Sequence, residues 1–180
     1  MDALKTEEDI QKKVDDALIE ANIFPDIPLN IKAMAQQLGF AIREFKTLPA
    51  NVIGCMFLKM EPRMAQLVKS NKLIGLNASS DEYHKRFAIA HEIGHYIMHY
   101  DFCKDKENPV FLQVRDNEKG IEAEACKFAA MLLMNRKDFS KAYHEIENLE
   151  EIDIIRQLSK KFQAPQASVR RRIEELKLHA

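Results

Sequence analysis

Cysteine is scarce in this chain. Its 180 residues hold three, Cys55, Cys103 and Cys126, an odd number without C-x-x-C spacing, which argues against a disulfide framework and for a reducing compartment. Glycine and proline are few as well, five and six, so collagen-like and low-complexity readings fall away. The longest apolar run, Phe128 to Met134, is far short of the roughly 20 residues that span a bilayer. The start, MDALKTEEDIQKK, has acids where a signal peptide needs bases and then an apolar stretch. Neither sign of charge is in excess: 27 basic groups face 28 acidic ones, so the total charge points to neither nucleic acid nor a membrane surface. The expectation is a cytoplasmic protein with no membrane partner. It would form one domain, or one domain with a small helical appendage, able to bury roughly 70% of its unfolded surface.

The chain opens with helical patterns. Thr6 is a good N-cap with acids in the first turn behind it, and Ile10, Val14 and Leu18 recur at one-turn spacing. A shorter helix carries Ile31, Met34, Ala35 and Leu38 on one face, with Gly39 as the residue that ends it. From Phe40 to Asn77 the pattern turns to strands: AIREF, NVIGCMFLKM, then AQLVK and LIGLN, the last two read as a hairpin. Ser79 and Glu82 form a capping box for a helix that runs to about Tyr100. VFLQV reads as one more strand, and Glu118 to Met134 as a second long helix with Ala125, Phe128, Ala129, Leu132 and Leu133 on one face.

The first long helix carries the chemistry. His91-Glu92-Ile93-Gly94-His95 is an H-E-x-x-H, and side chains four residues apart share one helix face. Two imidazoles so placed can hold one cation, while Glu92 stands where a general base reaches a water beside it. With six histidines in the chain, chance rarely produces this spacing. Gly94 costs roughly 1 kcal/mol in a helix interior, so it serves either close packing or the approach of another backbone. Tyr83, His84 and Tyr96 are candidate donors to a developing oxyanion.

A catalytic zinc needs a third protein ligand and one open position. His99 lies about 9 Å beyond the level of the His91–His95 midpoint at 1.5 Å per residue, which suits a supporting residue at the helix end rather than a ligand. The second long helix offers carboxylates. Glu124 begins an apolar stretch, an expensive place for an unpaired charge. Glu122, two residues away, points elsewhere; the pattern alone leaves the choice between them open.

AIAHEIGHYIMH followed by EAEACKFAAMLLM resembles the ImmA/IrrE metallopeptidases, whose pattern is an HELGH helix with a trailing His and then an E-A-N-x-F-A-A-x-L-L-M-P helix. LNASSDEYHKRFAIAHE and IKAMAQQLGF are similar to that family too, so the resemblance spans about residues 28 to 135. It implies an α+β zincin-like metalloprotease core with a small antiparallel sheet. It implies metal ligands at His91, His95 and Glu124, with zinc, or alternatively manganese, as cofactor. It also implies a metallo-endopeptidase in which Glu92 is the catalytic base and a partner XRE-type helix-turn-helix repressor is the substrate. Such enzymes act as switches in phage or mobile-element, stress-response or toxin–antitoxin regulation. Two positions depart from the pattern: Cys126 stands for the usual Asn, and Asn135 for the usual Pro.

Residues 1–142 are expected to form the peptidase domain and 143–180 a helical, helix-turn-helix-like subdomain. An acidic run from Glu145 to Asp153 precedes a basic tail in which LSKKFQAPQASVRRRIEELKL reads as helix, turn at Ala164-Pro165, helix. Arg170, Arg171 and Arg172 fan over about 200° of the last helix, forming a solvated or protein-docking face more readily than a DNA-binding stripe. The rival reading is non-catalytic: a metal-stabilised regulator that sequesters a repressor or binds DNA, its structural zinc closed by Cys103 or Cys126.

Overall fold

The computed structural model of the protein describes residues 5–100, 110–114 and 120–178. Cys103 and the expected helix start at Glu118 lie outside them. α1 (Glu7–Glu20) is capped as its sequence predicts. Thr6 Oγ1 accepts from the Asp9 amide, Asp9 returns the bond to the Thr6 amide, and Ile10, Val14 and Ala17 are buried. Asn30 caps α2 (Ile31–Gln37), and Gly39, at φ +84°, turns the chain out of it.

Among the described residues four strands form one sheet: β1 (Phe40–Phe45), β2 (Val52–Phe57), β3 (Lys72–Asn77) and β4 (Val110–Val114), in the order β1-β3-β2-β4. β2 runs antiparallel to both of its neighbours, but β1 lies parallel to β3, so the sheet is mixed rather than wholly antiparallel. The expected hairpin of AQLVK with LIGLN does not form. Residues Pro62–Val68 are a helix, α3. Pro62 in its first turn presets a helical φ, Arg63, Met64, Ala65, Gln66 and Leu67 are mostly good helix formers, and Lys69 closes it in the left-handed conformation. α3 buries none of its residues, so local propensity decided its conformation.

The two long helices are α4 (Glu82–His99) and α5 (Ile121–Leu133). Asp81, not Ser79, caps α4: its Oδ1 accepts from the Tyr83 and His84 amides, while the Ser79 hydroxyl donates to Asn77. α4 packs against the sheet at β2 and against α5 more extensively than any other pair of elements. Gly94 is a point of close approach. A Cβ there would stand 3.1–3.2 Å from three atoms of Phe128, so of the two roles open to this glycine the structure shows the packing one. Ala125, Ala129 and Ala130 set small side chains among the buried residues of α5.

α6 (Arg136–His144), α7 (Glu151–Phe162) and α8 (Gln166–Glu175) complete the chain. Asn135 Oδ1 accepts from the Asp138 amide and so starts α6, a punctuating role at the position where the sequence departs from Pro. The expected boundary at 142/143 falls inside α6. One apolar cluster runs from Ile10 of α1 to Ile173 of α8, and Arg86 of α4 donates to the Gln163 carbonyl in the α7–α8 turn and to that of Leu29. Arg172 does not belong to a solvated arginine face. It is fully buried, donating through Nε to the Met134 carbonyl at the end of α5 and through Nη1 to Glu175, while Arg170 pairs with Glu151.

The Gly94–Phe128 contact yields a direct test. Gly94→Leu should destabilise the protein by about 1–3 kcal/mol or more in urea denaturation, because α5 must move away from α4 to accept the side chain. Unchanged stability would mean that the two helices are not in close contact there.

Candidate metal centre

α4 presents His91 and His95 one turn apart on one face, and the first turn of α5 brings a carboxylate to them. That carboxylate is Glu122. Its Oε2 lies 3.2 Å from His91 Nε2, its Oε1 lies 3.1 Å from His95 Nε2, and the two Nε2 atoms are 3.0 Å apart. One donor atom from each of the three residues falls within 4.8 Å of the others, the convergence that two imidazoles and a carboxylate need to share a cation.

The structure places Glu124 elsewhere. Its Oε2 is 2.9 Å from His99 Nε2, and its Oε1 accepts from the Lys5 backbone amide at 2.7 Å. Glu122 and Glu124 are separated by about 200° around α5, so only one of them can face the histidine pair. The apolar surroundings that favour Glu124 in the sequence are real, since it is buried, but His99 and Lys5 partner its charge. The signal that identifies Glu122 is its position four residues before Cys126. They share a face, and Cys126 Sγ lies 3.5 Å from His91 Nδ1. His99 sits at the supporting position its spacing predicts, its Nδ1 3.1 Å from His95 Nδ1.

Glu92 is wholly buried beside this group, and neither of its carboxylate oxygens has a hydrogen-bond partner among the described residues. Such a group is costly unless something polar comes to it. β2 backs it closely: a Cβ on Gly54 would be 3.1 Å from Ala88 Cβ and 3.6 Å from Glu92 Oε1. Of the candidate oxyanion donors, His84 is engaged with Asp81 and the Tyr96 hydroxyl with Lys72.

The electrostatics separate the two carboxylates. Burial raises Glu92 well above its ordinary 4.5, and the nearby charge of Glu122 raises it further. Burial alone would raise Glu122 too, but hydrogen bonds with His91 and His95 outweigh it and hold that carboxyl down to about 2. Burial pushes His95 below 6.5 despite its bond to Glu122. At neutral pH Glu122 is therefore anionic and His95 neutral, the protonation states that metal ligands must have. An orphaned carboxylate beside a ready ligand set fits a bound cation and its water.

A family model described as Peptidase_M78, IrrE N-terminal-like domain, matches residues 45–174. The chain belongs to that family. Comparison with curated proteins gives no significant sequence match. Among solved structures, one titled Mycobacterium tuberculosis transcriptional regulator is similar in fold, with a TM-score of 0.57 at 16% identity. The match covers 92% of this chain and 46% of that one, so this chain spans less than half the length of that neighbour. The M78 family is one of peptidases, and the α+β core expected from the sequence is the core observed. No helix among the described residues is long and apolar enough to cross a membrane.

The Glu92 environment predicts a pH effect of defined sign. A carboxyl whose folded pKa is raised contributes stability below its unfolded value of 4.5 and loses it as pH climbs through the raised value. In metal-free protein, Glu92→Gln should therefore unfold at higher urea than the native chain at pH 8, with the advantage shrinking as pH falls toward 4.5. An advantage that grew on acidification would show that Glu92 is not a buried, proton-retaining carboxyl.

Proposed function

We propose that this protein is a metal-dependent endopeptidase in which His91, His95 and Glu122 hold a zinc ion and Glu92 is the catalytic base. Manganese is the second choice of metal. The observation that carries the reading is the unpartnered, fully buried Glu92 carboxylate beside three converging donors. Replacing Glu124 by Glu122 in the ligand set rests on the distances between side chains. The bound cation would polarise the scissile carbonyl and acidify a water.

The chain's own groups do the rest. His91 and His95 orient from successive turns of one rigid helix, and Glu122 supplies charge from another. Glu92 takes a proton from the attacking water and delivers it to the leaving amine, a two-way transfer suited to a carboxyl whose surroundings strengthen its hold on a proton. The buried setting strengthens each of these interactions relative to bulk water.

The substrate we propose is a partner helix-turn-helix repressor of the XRE type, cleaved in the cytoplasm as a switch in phage, stress-response or toxin–antitoxin control. Membership of the M78 family supports this, as does the resemblance of the HEIGH and EAEACKFAAMLLM segments to the ImmA/IrrE enzymes. We further propose that residues 143–180 help to recognise it, through Arg170 and Arg171 rather than the buried Arg172.

Glu92→Gln preserves shape and touches no proposed ligand. It should keep stoichiometric zinc yet lower kcat for cleavage of its repressor substrate by roughly 10²–10⁴-fold, with KM little changed. A cleavage-dead Glu92→Gln protein that still relieves repression in full in a reporter assay would show instead a regulator that acts by sequestration.

A further inference from the structure

Two polar side chains beside the proposed ligands have no role in the chemistry above: His99, fully buried, and Glu124, nearly so. They connect end to end with His95. His95 Nδ1 is 3.1 Å from His99 Nδ1, His99 Nε2 is 2.9 Å from Glu124 Oε2, and Glu124 accepts from the Lys5 amide at 2.7 Å and from Lys5 Nζ at 3.3 Å. The other ligand histidine has a poorer support. His91 Nδ1 faces the Cys126 sulfur at 3.5 Å, a weak partner.

We infer that His99 and Glu124 are positioning residues that fix the tautomer and ring orientation of His95 for the metal. The inference rests on the metal-site reading above, and its logic is proton counting. His95 Nε2 points into the ligand group, 3.1 Å from Glu122 Oε1, so that nitrogen must offer its lone pair to a cation. The ring proton then belongs on Nδ1, where it is donated to His99 Nδ1. Having accepted there, His99 carries its own proton on Nε2 and donates it to Glu124. A carboxylate only accepts, so it ends the chain, and the donors of Lys5 hold it in place. Each proton has one location, and reversing either ring would leave two lone pairs or two protons facing each other. This is why Glu124 is buried on α5 without being a ligand: it belongs to the shell that orients one. Lys5, immediately before the α1 cap at Thr6, ties the start of the described chain to this shell.

Groups of this kind typically contribute 10- to 100-fold in metal affinity. The test is zinc affinity by chelator competition for native protein and for His99→Leu, Glu124→Leu and Glu124→Gln, with the metal-free thermal midpoint measured beside each. His99→Leu and Glu124→Leu should each bind zinc 10- to 100-fold more weakly. Glu124→Gln, which still accepts from His99, should lose less. Long-range ¹H–¹⁵N spectra of the zinc-loaded native protein should show His95 protonated at Nδ1 and His99 at Nε2. Native affinity in both leucine variants, whatever their thermal midpoints, would overturn the inference, as would His99 protonated at Nδ1 in the native protein. That spectrum needs no variant to fold. His91→Ala and Glu122→Ala in the same titration test the underlying site independently: if these too bound zinc like the native protein, the ligand assignment itself would fall.

Discussion

Gly94 presents no side chain to Phe128, and the closeness of α4 and α5 at that contact is the constraint on which the candidate metal centre rests. Two histidines on one helix define only half of a site. The other half arrives because α5 lies near enough for the Glu122 carboxylate, in its first turn, to reach both Nε2 atoms. Small residues on α5 and the bare backbone of Gly94 allow that distance, and Phe128 fills what remains. On the other side of α4, Gly54 lets strand β2 come as close at Ala88 and into contact with Glu92. The helix bearing the H-E-x-x-H is thus held between two surfaces that approach it through glycine.

Such tight burial has an electrostatic consequence. His91, Glu92 and His95 are almost entirely removed from solvent, where charged and polar groups lose hydration that only partners can replace. His95, His99, Glu124 and Lys5 satisfy one another along a chain of hydrogen bonds, and Glu122 is satisfied by both ligand histidines. Both carboxylate oxygens of Glu92 are left without a hydrogen-bond partner among the described residues. A carboxyl in this position is costly unless a polar species comes to it, and a water activated by the proposed base would be such a species. The same setting separates the two acids by charge: one kept anionic by its histidines, the other inclined to hold a proton.

Much of this was legible in the sequence, for reasons that differ by residue. The H-E-x-x-H could be read because ligand geometry and helix period coincide at four residues, and α1 because Thr6 and Asp9 complete a local cap. What the sequence hid depended on tertiary distance. Glu122 and Glu124 are equally good carboxylates on one helix, and burial, the cue that favours Glu124, is as true of a supporting residue as of a ligand. The AQLVK segment has strand-like composition, yet Pro62 and the helix formers behind it prevail, and among the described residues no strand pairs with the segment. The parallel pairing of β1 with β3 is set by where the chain returns after β2, and no local pattern records that. Arg172 looks like one of three surface arginines until the end of α5 presents the Met134 carbonyl to it.

The central claim is that one cation is shared by α4 and the first turn of α5. A crystal structure of the zinc-loaded protein, with diffraction recorded on both sides of the zinc absorption edge, tests it most directly. The account predicts a single anomalous peak bonded to His91 Nε2, His95 Nε2 and the Glu122 carboxylate, with Glu92 facing a metal-bound water and Glu124 still joined to His99. A peak bonded to Glu124 in place of Glu122, or a fourth protein ligand closing the site, would contradict it.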